Sequence, residues 1–342
     1  VTSPLRFAAI GLNHNHIYSQ CAALVAAGAE FTAVHAPEPE LVKGFTRAFP
    51  QARSVASERE ILEDDSIRLV TSAGIPSDRA PLGIRVMQHG KDYLVDKPGM
   101  TTLEQLAEVR RVVAETGRIY SVFFAERFES RATVRAVELA RAGAIGRVVQ
   151  TVGLGPHRAN LPSRPAWFFE RERYGGILCD IASHQIDQFL YLAQSESADV
   201  VASLVANYAH PEHPGLEDYG EVHLRAGDVS GTARVDWYTP DGLPTWGDGR
   251  LFVLGTEGTL EVRKYCDLGG RTGPDHLFLI DGREVRRFDC AQVELPFARL
   301  LLDDVRTRTE TAMTQSHCFA ACELALRAQA QAVRAGHLKG GV

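Results

Sequence analysis

The sequence predicts an α/β protein in two parts: a doubly wound parallel sheet covered by helices, then an α+β part with an open, mostly antiparallel sheet. Three observations carry this reading. Short apolar runs alternate with helical segments over residues 5–124. After about residue 125 the rhythm gives way to extended runs, several with polar alternation, joined by hairpin-like connections. A length of 342 residues also exceeds what a single core usually holds. The division is placed at 1–124 and 125–342, with the C-terminal helices left free to pack back on the first part.

The elements follow in order. Leu5-Arg6-Phe7-Ala8-Ala9-Ile10 reads as a buried strand and ends in Gly11-Leu12-Asn13-His14-Asn15-His16. An Ala/Val-rich helix over 17–27 and a strand over 31–35 complete a strand–turn–helix–strand unit. The first turn of such a unit is where dinucleotide phosphates usually sit. Of the G-x-G-x-x-G pattern only Gly11 is kept, with Asn13 in the second place and His16 in the third. Asn tolerates left-handed backbone angles, whereas His16 is bulky where a small residue normally allows close approach. The acid that would hold the adenosine ribose is displaced: Ala36 stands in its place and Glu38 follows two residues later, with His35 as an alternative against the adenosine. No basic residue follows at once, so NAD is mildly preferred and NADP stays open.

The winding continues with helices over 41–49 and 58–62, a strand over 67–71, a helix over 79–89 and a strand over 92–95 running into Asp96-Lys97-Pro98. A helix over 102–116 sets Leu103, Leu106, Val109, Val112 and Val113 on one face, and a strand over 119–124 ends the first part. The second part opens with a helix over 131–141 and a strand over 148–154. A loop over 156–174, rich in Arg, Pro and aromatics, leads to a helix from about residue 178. Extended runs at 200–208, 218–226, 229–238, 251–254, 259–264 and 277–280 follow, and Ala-rich helices over 296–335 close the chain.

Composition narrows the function classes. The formal net charge is -6 and neither sign runs in blocks, which argues against a large nucleic-acid surface. The six cysteines are scattered without a C-x-x-C pair, which fits a reducing cytoplasm. No apolar run approaches the ~20 residues that span a bilayer, and the opening residues carry no charged leader. A soluble, cytoplasmic protein is expected.

The chemistry concentrates in Gly175-Gly176-Ile177-Leu178-Cys179-Asp180-Ile181-Ala182-Ser183-His184-Gln185-Ile186-Asp187. On an α-helix Asp180 and His184 share one face, with Asp187 a turn further on. A carboxylate that orients an imidazole is what a proton-transfer base needs, and the two glycines and the helix N-terminus leave room for a ligand. An ordinary N-terminal carboxylate and an ordinary helical His would give the same pattern.

Three stretches together resemble the glucose-fructose oxidoreductase, inositol dehydrogenase and MocA (Gfo/Idh/MocA) family. They are Asp96-Lys97-Pro98, like the family's Glu-Lys-Pro; the stretch from Gly175 to Asp187, which fits G-G-x-x-x-D-x-x-x-H-x-x-D; and Gly255-Thr256-Glu257-Gly258-Thr259-Leu260-Glu261, similar to a late-strand turn of the family's second domain. The resemblance implies an N-terminal Rossmann domain and an NAD(P)-dependent oxidoreductase acting on a secondary hydroxyl or ketone of a sugar, inositol or related polyol. It implies that Lys97 contacts the reacting hydroxyl and the nicotinamide ribose, that His184 accepts the proton, and that Asp180 binds substrate and orients the His. Gly11, Asn13, His14, His16, Glu38, Asp96, Lys97 and Pro98 are the expected cofactor contacts, and a homodimer or homotetramer is the expected assembly. The modified turn and Arg79, where the family often has His, are departures. They leave two other readings open: a redox-recycling glycosidase or epimerase with retained NAD, and a non-catalytic ligand sensor or assembly subunit.

Further substrate contacts are expected from Arg127, His157, Arg158 and Trp167, with Arg164 and Phe168 in the same loop as donor and aromatic wall, and with Tyr238 and Trp246 lining either the same pocket or an interface. No metal is expected. Asp180, His184, Asp187 and His157 are acceptable ligand types, but their spacing matches no zinc pattern. His89, His210, His213, His223, His276, His317 and His337 are assigned to loop, surface or core.

Overall fold

The computed structural model describes residues 3–336, so His337 lies outside the described residues. The chain forms two compact units, Val1–Phe123 with Pro296–Phe319, and Phe124–Leu295 with Ala320–Val342.

In the first unit, β1 (Arg6–Ile10), β2 (Glu30–His35), β3 (Arg53–Ser54), β4 (Leu69–Ser72), β5 (Asp92–Asp96) and β6 (Tyr120–Phe123) form one sheet in the order β3-β2-β1-β4-β5-β6. All five pairings are parallel. β4 and β5 are buried at every residue, as a sheet covered on both faces requires. The order reverses at β1, where the chain leaves for β2 on one side and returns as β4 on the other. Ligands of such sheets bind at that switch point. Behind it, Phe7 stacks on Phe31 at 4.5 Å, and Phe31 meets Phe45 and Phe49 edge-on. The helix Leu103–Thr116 begins at Thr102, whose side chain accepts from the Gln105 amide, and ends at Gly117 in a left-handed conformation. The helix after β4 runs from Pro76 to Gln88, a turn longer at its start than the sequence suggests, because Pro76 is suited to a first turn that needs no N–H donor.

In the second unit, β7 (Val148–Pro156), β8 (Asp199–Ala206), β9 (Tyr219–Ala226), β10 (Val229–Asp236), β11 (Arg250–Gly255), β12 (Gly258–Arg263), β13 (His276–Asp281), β14 (Val285–Phe288) and β15 (Val333–Ala335) form a sheet in the order β14-β13-β12-β11-β7-β10-β9-β8-β15. It is antiparallel except at β7/β10 and β8/β15. One face is covered. The helix Arg131–Arg141 sets Ala132, Ala136, Val137 and Ala140 against Leu251, Val253, Leu260, Val262, Leu277 and Leu279. The loop over 156–174 is partly ordered into tight turns at Leu161–Ser163 and Ala166–Phe169 and a short helix, Arg171–Tyr174.

The expected helix from residue 178 is corrected at its start. Leu178–Ala182 is a π-helical turn, and a regular α-helix runs only over Ser183–Ala193.

Candidate active site

In the first unit the dinucleotide-type turn is built on close backbone approach. Gly11 has φ +82°, and a Cβ on it would lie 2.9 Å from the Gly74 Cα, so this position needs Gly. The His14 amide donates to the Ala73 carbonyl at 2.9 Å, tying the turn to the end of β4. Asn13 Nδ2 donates to Glu38 Oε1 at 2.8 Å, which brings the displaced acid back to the turn. The other oxygen, Glu38 Oε2, is buried and has no hydrogen-bond partner among the described residues.

Asp96, Lys97 and Pro98 follow β5, with a cis Lys97–Pro98 peptide. Asp96 is fully buried, and His16 Nδ1 lies 2.9 Å from its Oδ1 and His14 Nδ1 3.6 Å from its Oδ2. Burial pushes the Asp96 carboxyl up, but His16 and Arg79 outweigh it and hold the group well below the usual carboxylate range. Burial and the neighbouring His16 push His14 the other way, well below an ordinary imidazole, against the pull of Asp96.

Arg79 fastens the turn from beneath. Its buried guanidinium donates to the carbonyls of Gly74 at 2.8 Å, Asp96 at 3.1 Å, Pro98 at 3.2 Å and Lys97, and to Asp96 Oδ2 at 3.2 Å. The backbone that carries Lys97 is therefore fixed by a residue that sequence reading noted only as a departure. Lys97 itself is buried.

In the second unit Gly175 and Gly176 both take left-handed angles, φ +90° and +91°, and a Cβ on Gly176 would strike the Gln329 side chain. The first amides of the π turn are already engaged: Ile177 N–H donates to Glu217 Oε2 and Leu178 N–H to Gln329 Oε1, each at 2.9 Å. Glu217 also accepts from Arg171 Nε at 3.1 Å and from Gln329 Nε2. The room for a ligand expected at this N-terminus is thus filled by protein. Gly176 serves close packing against Gln329.

His184 is buried, with its ring edge-on to Phe124 at 6.3 Å. Asp180 is half-buried and acts electrostatically on Arg164, which lies over Phe168 and Trp237. Glu126, absent from the sequence reading, is a buried carboxylate that accepts from Lys264 Nζ and from Gln185 Nε2 at 2.9 Å. Burial raises its pKa, but Lys264 and the fields of His184 and His157 bring it down to about 2. Lys264 Nζ also donates to Gln188 Oε1 at 3.1 Å.

Several expected contacts have other engagements. Arg127 forms a two-bond ion pair with Asp187 at 2.6 and 2.7 Å and lies between the Phe128 and Tyr191 rings, so the expectation of a substrate contact is corrected to a core ion pair. Arg158 donates to the Pro240 and Leu243 carbonyls, which turns it to loop closure. His157 meets Trp246 at a tilt at 4.5 Å and Trp237 edge-on at 5.4 Å, and Trp167 meets Phe168 at 6.4 Å. Asp180, His184, Asp187 and His157 form no metal-type cluster among the described residues.

A parallel sheet with a switch-point turn, and a second unit built on a large open sheet, define a two-domain dinucleotide-binding architecture. Comparison with known proteins names it. Residues 5–124 match the oxidoreductase family with an NAD-binding Rossmann fold, and residues 133–261 match the GFO/IDH/MocA C-terminal domain. The chain belongs to the GFO/IDH/MocA family, and its first unit is that family's NAD-binding Rossmann domain.

It is similar to a protein of Erwinia carotovora atroseptica SCRI1043 described only as an oxidoreductase, with 48% identity, a TM-score of 0.94 and coverage of 96% of this chain and 99% of that one. It is 29% identical to scyllo-inositol 2-dehydrogenase (NAD(+)) of Bacillus subtilis (strain 168), over 63% of each chain. It is 30% identical to levoglucosan dehydrogenase of Pseudarthrobacter phenanthrenivorans, over 52% of this chain and 45% of that one. The chain thus matches less than two thirds of the length of these curated relatives. A levoglucosan dehydrogenase in complex with NADH and levoglucosan shares the fold, with a TM-score of 0.79 at 19% identity.

Proposed function

We propose that the protein is an NAD(P)-dependent dehydrogenase or reductase acting on a secondary hydroxyl or ketone of a sugar, inositol or related polyol. The observation that carries this is Glu38: Asn13 Nδ2 holds its carboxylate at the switch-point turn at 2.8 Å, where the acid that takes the ribose hydroxyls of a dinucleotide belongs. A carboxylate there repels a 2′-phosphate, which favours NAD over NADP. The names of the curated relatives support the substrate class.

When bound, the nicotinamide supplies hydride acceptance. The chain supplies the rest. Gly11, Asn13, His14 and His16 line the turn, and Asp96 and Pro98 frame Lys97. The Lys97 ammonium stabilises the developing alkoxide, and Arg79 holds its backbone in place. His184 takes the hydroxyl proton. Asp180 binds substrate and orients the imidazole, and His157 and Trp167 offer a polar and an aromatic surface to a polyol. Arg127 and Arg158 are left out because their guanidinium groups serve the fold.

We propose a homodimer or homotetramer formed through the uncovered sheet face. Val152, Phe252 and Phe278 lie there at the positions alternating with the buried ones, Val152 opposite Phe252 and both Phe252 and Phe278 opposite Glu261.

Fluorescence titration with NADH and NADPH tests the reading. Saturable binding with NADH the tighter ligand is expected, followed by NAD+ reduction in a polyol screen. Binding of neither nucleotide would remove the dehydrogenase assignment.

A further inference from the structure

His14 and His16 stand where the sequence of a dinucleotide turn calls for no imidazole, and both rings turn toward one carboxylate. The geometry points to a site for a nitrogen-preferring divalent cation of the Zn²⁺ class, held by His14, His16 and Asp96 on the dinucleotide turn.

Three ligand atoms, one from each residue, lie within 4.8 Å of one another. Zinc binds imidazole nitrogen and carboxylate oxygen at 2.0–2.2 Å, so neighbouring ligands of a tetrahedral site sit roughly 3.4 Å apart. The His16–Asp96 and His14–Asp96 separations of 2.9 and 3.6 Å bracket that value. Asp96 already has the outer-shell support usual for a ligating carboxylate, through Arg79 Nη2 at 3.2 Å.

The nearby charges select the kind of cation. Arg79 and Lys97 both act on His14, and both oppose a dication. Magnesium and calcium prefer oxygen ligands and bind by charge, so these cations disfavour them strongly. A metal with a strong preference for imidazole nitrogen overcomes the repulsion. It displaces the His16 amide, which now donates to His14 Nδ1 at 3.2 Å. Both imidazoles are about a third exposed, at 27% and 32%. The fourth position therefore opens outward, and the surplus positive charge favours an anionic oxygen there. Only the identity of that oxygen, a phosphate of the dinucleotide, rests on the function proposed above.

The test is calorimetric titration of the full chain, stripped with EDTA and desalted, with ZnCl₂ and separately with MgCl₂. One equivalent of Zn²⁺ is expected, with no comparable Mg²⁺ signal and a visible absorption band on Co²⁺ substitution. His14→Gln and His16→Gln, checked for folding by circular dichroism, should each weaken Zn²⁺ binding at least about tenfold, a loss seen even for outer-shell partners. His89→Gln should leave it unchanged. Zn²⁺ binding no tighter than that of the His14→Gln/His16→Gln double variant, or equal binding of Mg²⁺, overturns the site. An NADH titration on stripped and Zn²⁺-loaded protein separates the two readings. Zn²⁺ binding without NADH binding in either state upholds the cation site and removes the dinucleotide assignment. NADH binding without Zn²⁺ binding does the reverse.

Discussion

At the scale of single residues, the proposed chemistry divides between groups that meet substrate and groups that hold others still. His184→Ala removes the proposed base, and the oxidation kcat should fall about 10²- to 10⁴-fold, the range expected of a positioned acid–base group. In the parent protein oxidation should also decline as pH drops through the range in which imidazoles protonate. An oxidation rate flat from mildly acid to mildly alkaline pH would take the role from His184. Glu126 gives a separate acid signature. Its pKa is about 2 in the folded state, against an ordinary 4.5. Its contribution to stability is therefore complete above about pH 4.5 and lost as pH falls toward 2. Urea midpoints measured from pH 5 to pH 2.5 should drop, and Glu126→Gln should flatten that drop. An unchanged pH slope in the variant would show that other carboxylates carry it. The anchoring role of Arg79 and the buried charge of Glu126 escaped sequence reading for one reason: a charged residue on a helix or beside a strand end reads as surface unless its buried partner is known. Arg79 has its partners at residues 74 and 96–98, and Glu126 has one at residue 264.

At the scale of elements, the strands and long helices were legible because apolar periodicity is local. β1, β2, β5 and the helix Arg131–Arg141 stand within a residue or two of their expected bounds. The π turn was not legible, because its cause is distant in sequence. Its first two amides find Glu217 and Gln329, 40 and 151 residues away, and Gly176 lets Gln329 close over the backbone. The stretch was read as α-helical from its start, and its first turn is π-helical instead. Gly176→Ala should therefore be costly twice over. The left-handed angle costs an L-residue roughly 1–2 kcal/mol, and the new methyl displaces Gln329 from two hydrogen-bond partners. A thermal melt should show clear destabilisation, whereas Gly282→Ala, where a Cβ meets nothing within 4 Å, serves as the mild control. Equal melting of the two variants would contradict this account of the turn. Arg127→Ala should also destabilise, by about 3–5 kcal/mol, because it strands the buried Asp187 charge.

At the scale of the whole molecule, the two units differ in what a ligand can do to them. The first carries the Rossmann turn and Glu38, and the second has its own core under a nine-stranded sheet. A chain built this way need not unfold in one step, so a single melting temperature is a poor reporter of where a nucleotide binds. Ligand present at a hundred times its Kd stabilises the binding unit by about 2.7 kcal/mol, and amide hydrogen exchange shows where that stabilisation falls. With saturating NADH, protection should rise in β1, in the turn over 11–16 and around Glu38. Glu38→Ala should lower NADH affinity and raise NADPH affinity, because it removes both the ribose acceptor and the charge that repels a 2′-phosphate. The two measurements bear on each other. Protection at the turn with no change in the NADH-to-NADPH ratio on Glu38→Ala would keep the dinucleotide and move the ribose contact elsewhere, with His35, at the end of β2, the next candidate. Protection absent from the turn altogether would mean that the two histidines at the switch point have replaced the nucleotide site.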